Sequence, residues 1–302
     1  MIEFTCKYYS AYGLKIKSEI NLPELNEIDT TNFDVTVSYG NVPSKIENPV
    51  KIGVAFQAKQ NEFLLNVPDI ADYFVKNGNE IIVSKKENVS NSEINLFLLG
   101  SAFGAVLYQQ KKVPFHGSTV IINNKAIIIS GVSGAGKSTI VASLTNKNYP
   151  LLSDDVTVLK EKNGNIIAIS GFPQVKLWQD SLDMMNISAK NLIKIRPQLE
   201  KYKFPVKNFV EGQKQVDSIF ILTKKNTKNV EIEEIKGIEK FKILANNTYR
   251  KQFVSALKLE KEQFKIISLL AAKTKLYFIK RPNGINTIDE ISNLIIEKTL
   301  TC

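Results

Sequence analysis

The stretch that decides the fold of this 302-residue chain is Gly-Val-Ser-Gly-Ala-Gly-Lys-Ser, residues 131–138. It matches in full the glycine-rich phosphate-binding pattern G-x-x-x-x-G-K-[ST]. The apolar run at residues 126–129 predicts a strand that leads into this loop, and residues 137–145 predict a helix that leaves it. Because the pattern binds phosphates in a strand–loop–helix setting, this context indicates a nucleotide-binding α/β domain.

Glycine-rich loops of this kind bind phosphates because their backbone N–H groups converge on the phosphate oxygens, at the positive end of a helix dipole. In the pattern, Lys137 is expected to reach the β- and γ-phosphates and the Ser138 hydroxyl to ligate Mg²⁺. The predicted cofactors are therefore ATP and Mg²⁺, and the alternative is a glycine-rich turn with only a structural role. The residues of the loop predicted to contact the nucleotide are Gly131, Ser133, Gly134, Ala135, Gly136, Lys137, Ser138 and Thr139.

Two adjacent carboxylates, Asp154 and Asp155, stand in an apolar strand pattern that begins at Leu151, about one helix beyond the loop. One aspartate at that place can hold Mg²⁺, and a second can accept a proton from an acceptor hydroxyl. Neighbouring residues on a strand point to opposite faces, so both act at one site only if the backbone bends there. The alternative is a solvated pair at the end of a strand.

His116 is the only histidine in the chain. A lone histidine is commonly structural, and on its own it does not indicate catalysis. The short turn Asn123-Asn124 predicts that the strand after His116 pairs with the strand that leads into the loop. That pairing would bring a side chain with a near-neutral pKa close to the phosphates.

Three segments follow from the hydrophobic pattern. Residues 1–88 are predicted to be β-rich, with period-two alternation at residues 33–39 and a hairpin turn at Asn77-Gly78-Asn79. Residues 89–112 are predicted to form a linking helix, and residues 113–302 the nucleotide-binding domain. Within that domain residues 238–253 also have a helical pattern.

Composition narrows the classes of partner. The formal net charge of +10, from 40 Lys+Arg against 30 Asp+Glu, indicates either a lysine-rich surface or attraction to an acidic partner. No nucleic-acid-binding module is recognisable, so we expect no nucleic-acid partner.

The apolar segment 96–108 is too short to span a bilayer, and the N-terminal residues lack the pattern of a signal peptide. Cys6 and Cys302 are interpreted as free thiols of a cytoplasmic protein without a membrane partner, although a pairing between them is the alternative.

His116-Gly117, the loop at 131–138 and Ser153-Asp154-Asp155 resemble, in order and spacing, the catalytic domain of the HPr kinase/phosphorylase family. The resemblance implies a phosphoenolpyruvate-carboxykinase-like P-loop fold, with a mixed sheet, beside a β-rich N-terminal domain. It implies Asp155 as the general base for an acceptor serine, and Ser138 and Asp154 as metal ligands. Lys137 is predicted among the catalytic groups because it would neutralise charge on the phosphates. It also implies that His116 supports the carboxylate pair and the phosphate.

Further segments resemble a divergent branch of HPr-kinase-like proteins found near lasso-peptide genes, whose members phosphorylate a serine of a precursor peptide. These segments are Tyr12-Gly13-Leu14, Ser18-Glu19-Ile20, residues 22–25, residues 98–102, residues 171–178, Arg196-Pro197, Lys201-Tyr202 and Thr248-Tyr249-Arg250. The chain has Thr139 where HPr kinases have glutamate, and it lacks the signature after the aspartate pair that belongs to the phosphorylase reaction. The resemblance therefore supports a kinase rather than a phosphorylase.

Several functional assignments stay open at the level of sequence. Arg250 is predicted to contact the nucleotide, and Lys201 is a second candidate cation, but each is equally well explained as a surface base. Trp178 fits a core position better than an acceptor platform. The expected partner is a peptide or protein with an acceptor serine; a small-molecule kinase and a non-catalytic ATP-responsive module are the alternatives, and a homo-oligomer is open.

Overall fold

Strands and helices give a mixed α/β protein with several β-sheets over the residues that the computed structural model describes, 6–196 and 198–301. The strands β1 to β21 are Lys7–Ala11, Leu14–Ser18, Asn26–Glu27, Val35–Tyr39, Lys51–Ile52, Phe56–Lys59, Glu62–Val67, Ala71–Lys76, Glu80–Lys85, Val113–His116, Ser118–Ile122, Lys125–Gly131, Leu151–Ser153, Val156–Lys162, Asn165–Ile169, Gln174–Trp178, Ile193–Lys194, Lys201–Pro205, Gln213–Lys224, Glu231–Glu234 and Lys275–Arg281. The helices α1 to α8 are Asn91–Phe97, Phe103–Gln109, Lys137–Asn146, Gln179–Met184, Gly237–Asn246, Gln252–Ala256, Glu260–Lys273 and Ile288–Leu300. Pro197 and Cys302, which entered the sequence-based predictions, lie outside the described residues.

The chain divides into two compact units. The first runs up to Pro114 and includes Tyr249–Gln263, and the second contains Phe115–Thr248 and the residues from Phe264 onward. The return of residues 249–263 to the first unit has a packing reason, because the ring of Phe253 lies 4.5 Å from that of Phe63, centroid to centroid. The predicted division into 1–88, 89–112 and 113–302 stays a prediction.

The first unit is built on one sheet with the strand order β3-β1-β2-β4-β9-β8-β7-β6-β5. The predicted turn at Asn77-Gly78-Asn79 joins β8 and β9 as an antiparallel hairpin, with Asn77 and Gly78 at positive φ. Alternation along β4 buries Val35 and Val37, as the period-two pattern predicts. After the sheet, Ser90 caps α1 in a reciprocal capping box with Glu93.

The second unit holds the predicted hairpin of β11 and β12, which turns at Asn123 and Asn124, both at positive φ. In its main sheet β12 pairs in parallel with β19, and β19 in parallel with β21. The carboxyl ends of these three strands therefore meet at one edge of the sheet. Residues 126–129 of β12 are fully buried, which fixes the strand that delivers the glycine-rich loop to that edge.

Two helices and a small sheet complete the second unit. The helices α3 and α8 touch through a hydrogen bond between the buried hydroxyls of Ser292 and Ser143, 3.0 Å apart. Both helices contribute to one hydrophobic core with β12, β19 and β21, in which Phe220 stacks on Tyr277 with ring centroids 5.1 Å apart. The small sheet has the order β16-β18-β17.

The predicted helix over 238–253 is present in part but is interrupted. The helix α5 ends at Asn246, and the next helix, α6, begins only at Gln252. Between them the carbonyl of Asn247 accepts a hydrogen bond from the His116 N–H at 2.7 Å, and Thr248 forms a β-bridge with Phe115. Backbone pairing with β10 thus replaces the helical bonds. Within the described residues, none of the helices has both the length and the apolar character needed to cross a membrane.

Candidate functional site

The glycine-rich loop has a backbone that only glycine fits at two points. Gly131 ends β12 with φ 138°, and a Cβ there would lie 2.3 Å from the carbonyl oxygen of Leu222 on β19. Gly136 has φ 101°, and a Cβ there would lie 2.6 Å from Nη1 of Arg281. The helix α3 begins directly after Gly136, so its first N–H groups, which lack partners within the helix, stand at the loop.

A cavity of about 450 Å³ opens beside this loop in the second unit. Its lining residues are His116, Ser133, Gly134, Gly136, Lys137, Ser138, Thr139, Asp155, Trp178, Asp180, Ser181, Met184, Lys201, Lys224 and Arg281. The structure thus brings most of the predicted site residues together around one space. Gly131, Ala135 and Asp154 do not line the cavity: Ala135 and Asp154 are buried, and Gly131 packs closely against Leu222 of β19. Arg250 belongs to the first unit, next to the ring of Tyr249, and its predicted contact with a nucleotide stays a prediction.

The two aspartates separate because the backbone bends between β13 and β14. Asp155 has φ 64°, in the left-handed region that non-glycine residues rarely adopt. The side chain of Asp154 is buried, whereas that of Asp155 is 43% exposed and faces the cavity. The bend that the sequence required for two nearby carboxylates is present, and it gives them different surroundings.

Asp154 is held by protein donors at both carboxylate oxygens. The Ser118 hydroxyl donates to Oδ1 at 2.6 Å, and the backbone N–H of Lys176 donates to Oδ2 at 3.1 Å. The same Ser118 oxygen accepts a hydrogen bond from the backbone N–H of Asp155 at 3.1 Å. Asp154 and Ser118 thereby fix the bend that presents Asp155.

The pKa values of Asp154 and Asp155 are shifted in opposite directions. Burial, together with the charge of Asp155, raises the pKa of Asp154. Packing around Asp155 also raises its pKa, but the charges of Lys176, His116, Lys201 and Lys137 outweigh that effect and hold the pKa below its ordinary value. Asp155 is therefore an ionised carboxylate at neutral pH, surrounded by cations.

The lysines of the cavity are affected by burial. Burial lowers the pKa of both Lys137 and Lys201, against the attraction of the two aspartates. The Lys137 ammonium donates to the Gly131 carbonyl oxygen at 2.6 Å and to that of Val132 at 3.2 Å. The Lys201 ammonium lies 5.3 Å from the centroid of the exposed Trp178 ring. Trp178 is thus a surface residue of the cavity, whereas the sequence favoured a core position.

We predict that the two carboxyls titrate on opposite sides of the ordinary aspartate pKa of about 3.9. Asp154 should titrate above it and Asp155 below it. Since folding raises the pKa of Asp154, its ionisation reduces stability as the pH rises through that pKa; the contribution of Asp155 is instead lost as the pH falls through its lowered pKa. Carboxyl ¹³C NMR titration checks this, with each signal assigned by an Asp→Asn variant, and a reversed order would contradict the geometry.

His116 reaches the cavity from the end of β10. Its Nδ1 lies 3.7 Å from Oδ1 of Asp155 and 3.2 Å from the Asp155 carbonyl oxygen. Its own carbonyl oxygen accepts a hydrogen bond from the Ser130 hydroxyl of β12 at 2.5 Å. The histidine is therefore tied both to the strand that delivers the loop and to Asp155, and its catalytic role stays a prediction.

Sequence reasoning missed Arg281 and Lys224, which face each other across the parallel pair of β19 and β21 at the edge where β12 ends. No local motif marks either residue. One available signal was composition, because Arg281 is one of only three arginines in a chain rich in lysine. The pairing of β21 with β19 places Arg281 beside the loop, and this long-range contact is not encoded in local sequence patterns.

Comparison with known proteins finds distant relatives in sequence. No protein-family model matches the chain. An HPr kinase/phosphorylase of Prosthecochloris aestuarii is 26% identical over 129 residues, which cover 43% of this chain and 36% of that protein. One of Chlorobium luteolum is 30% identical over 95 residues, or 32% of this chain and 27% of that protein. The chain is distantly related in sequence to HPr kinase/phosphorylase.

HPr kinase/phosphorylase is a phosphotransferase family, and the matched segments span about a third of the length of these two relatives. Among solved structures, the Hpr(Ser) kinase/phosphatase from Coxiella burnetii aligns with a TM-score of 0.35 at 15% identity, over 62% of this chain and 97% of that one.

Proposed function

We propose that this protein is a Mg-ATP-dependent kinase that transfers the γ-phosphoryl group to a serine hydroxyl of a peptide or small protein. One observation carries the proposal: a single cavity brings together the glycine-rich loop, the Lys137 ammonium and the ionised carboxylate of Asp155. A loop of this kind holds phosphates, a lysine neutralises them, and a carboxylate accepts a proton. The distant relation to a phosphotransferase family supports the same chemistry.

The residues around the loop fit a nucleotide with its metal. Ser138 lines the cavity at the start of α3, where its hydroxyl would be a ligand for Mg²⁺. Asp154 is the second ligand in our proposal, and it would reach the metal only by sharing an oxygen that already accepts a protein hydrogen bond. Mg²⁺, when bound, offsets the charge of the phosphates. In the proposed fold, this unit is a P-loop kinase domain of the phosphoenolpyruvate-carboxykinase type.

The proposed step is an in-line transfer. The serine oxygen attacks the γ-phosphorus while its proton passes to a carboxylate oxygen of Asp155, and the bond to the β–γ bridging oxygen breaks to release ADP. Lys137 offsets the charge that develops on the phosphoryl oxygens. His116, at 3.7 Å from Asp155, would hold that carboxylate in position.

The acceptor in this proposal is a polypeptide, either a lasso-type precursor peptide or another acceptor of the HPr kind. The exposed Trp178 and Met184 line the cavity together with Lys201, which gives an acceptor segment an apolar and cationic surface to lie on. The proposed reaction is that of a kinase alone, since the chain lacks the family's phosphorylase signature.

The proposal is tested with γ-³²P-ATP, Mg²⁺ and the purified protein in an extract of its source cells, and the label is separated by mass. We expect a labelled peptide or small protein that is absent when the Asp155→Asn variant replaces the wild type. Label in a metabolite alone would indicate a small-molecule kinase, and label in free phosphate alone an ATP-responsive module. Either result would contradict a polypeptide acceptor.

A further inference from the structure

Arg281 is a buried cation without a carboxylate partner. It ends β21 with 6% of its surface exposed, and among the residues that the structure describes its Nε has no hydrogen-bond partner. Within the same residues no aspartate or glutamate lies at ion-pair distance from it. A buried charge is ordinarily paired, because the loss of its hydration is unfavourable unless another group compensates for it. Burial correspondingly lowers the pKa of Arg281, although a guanidinium remains charged at neutral pH.

The position of this unpaired charge is informative. Arg281 lines the cavity, and its Nη1 is so close to Gly136 that a Cβ there would lie only 2.6 Å away. Gly136 directly precedes the first residue of α3, so the guanidinium stands beside the free N–H groups of a ten-residue helix. Two independent groups of donors therefore meet at one point, and neither has an acceptor from the described protein.

The charges around this point favour an anion. Lys137, Lys201 and Lys224 line the same cavity, against the carboxylates of Asp155 and Asp180. The neighbouring strand residue Lys280 faces away from the cavity and pairs with Glu233 at 3.0 Å. The strand thus places a paired lysine on one face and an unpaired arginine on the other.

We propose that Arg281 is an oxyanion-binding residue, which donates two N–H groups to a phosphate held by the glycine-rich loop. The planar guanidinium suits a bidentate contact with phosphate, which a lysine does not reproduce. This inference rests on the proposed function in so far as the phosphate belongs to ATP. It adds a contact from β21, which is separated from β12 only by β19, to those that the loop motif supplies.

The test measures the affinity of the full chain for ATP and for inorganic tripolyphosphate, by calorimetry and by thermal shift. Arg281→Gln should weaken the affinity for both ligands about tenfold or more. The affinities of Arg281→Lys should lie between those of Arg281→Gln and the wild type. The matched control is Lys280→Gln, which removes one positive charge from the adjacent residue and should bind both ligands like the wild type.

Stability without ligand separates this role from a structural one. If Arg281 serves the ligand, Arg281→Gln removes an uncompensated buried charge, and its unfolding temperature should equal or exceed that of the wild type. A lower unfolding temperature together with unchanged affinity in both variants would overturn the inference. Arg281→Lys keeps the charge and supplies the answer if the glutamine variant does not fold.

The two proposals fail in distinguishable ways. Wild-type affinity for ATP in Arg281→Gln would overturn the role of Arg281 and leave the kinase intact. A wild-type protein that binds tripolyphosphate through Arg281 but not ATP would support the oxyanion site and overturn the kinase. If the wild type binds neither ligand, both proposals are wrong.

Discussion

Asp155→Asn is expected to reduce phosphoryl transfer by about 10²–10⁴-fold, the range that a positioned general base contributes. Asparagine keeps the shape of the side chain but cannot take the serine proton. Affinity for ATP should be unchanged or higher, because the substitution removes a negative charge from the cavity that receives the triphosphate. Single-turnover transfer to the acceptor, with Kd for ATP measured separately, checks both parts.

The matched control is Asp289→Asn, which makes the same chemical change at an exposed residue of α8 that pairs with Lys147. It should transfer phosphate like the wild type. Loss of ATP affinity together with activity in Asp155→Asn would contradict the role of a base and indicate a structural or metal-binding carboxylate. Full activity in that variant would assign the proton to another group.

Much of the fold around the loop could be predicted because the signals are local. The run 126–129, the loop 131–138 and the helix after it are contiguous in sequence, and the structure has all three. The turns at Asn77-Gly78 and Asn123-Asn124 were equally predictable, since these residues tolerate the positive φ that tight hairpins require. Each of these predictions needed only a few neighbouring residues.

From the sequence, Asp154 and Asp155 could be placed at one site only on the condition that the backbone bends between the strands. The sequence places Asp154 and Asp155 side by side, and period two sends them to opposite faces. The condition is met because Asp155 adopts φ 64° while Ser118, on a different strand, bonds to both residues. No pattern near position 154 indicates the contribution of Ser118, which depends on the pairing of β11 with β13.

Long-range pairing also explains the remaining differences. The helical pattern over 238–253 is real, but Asn247 and Thr248 form backbone contacts with β10, which interrupts it. Arg281 reaches the loop only because β21 pairs with β19 in parallel, and β19 with β12. Local propensity is a weak prior wherever such contacts compete with it.

Lys137→Met is expected to have the second large effect, and on both binding and transfer. The lysine is the cation that the loop places in the cavity, and its ammonium donates to the Gly131 and Val132 carbonyl oxygens. On binding, it would exchange these acceptors for phosphate oxygens. Methionine fills the volume without the charge, so the affinity for ATP should fall about tenfold or more. The rate of transfer at saturating ATP should fall by a further 10²–10³-fold, roughly the effect of removing one hydrogen-bond donor that stabilises charge in the transition state.

The control for the lysine is Lys147→Met, at the opposite end of α3. Lys147 pairs with the exposed Asp289, an ion pair that contributes about 1 kcal/mol or less, so this variant should bind ATP and transfer phosphate normally. A comparable loss in both variants would indicate damage to the helix rather than loss of a phosphate contact. Normal affinity with slow transfer in Lys137→Met would mean that the lysine acts only on the transition state. Normal affinity and normal transfer would remove the loop from the proposed mechanism.

Because Asp155→Asn is expected to spare ATP binding and Lys137→Met to weaken it, the two variants together separate proton transfer from phosphate binding within one cavity.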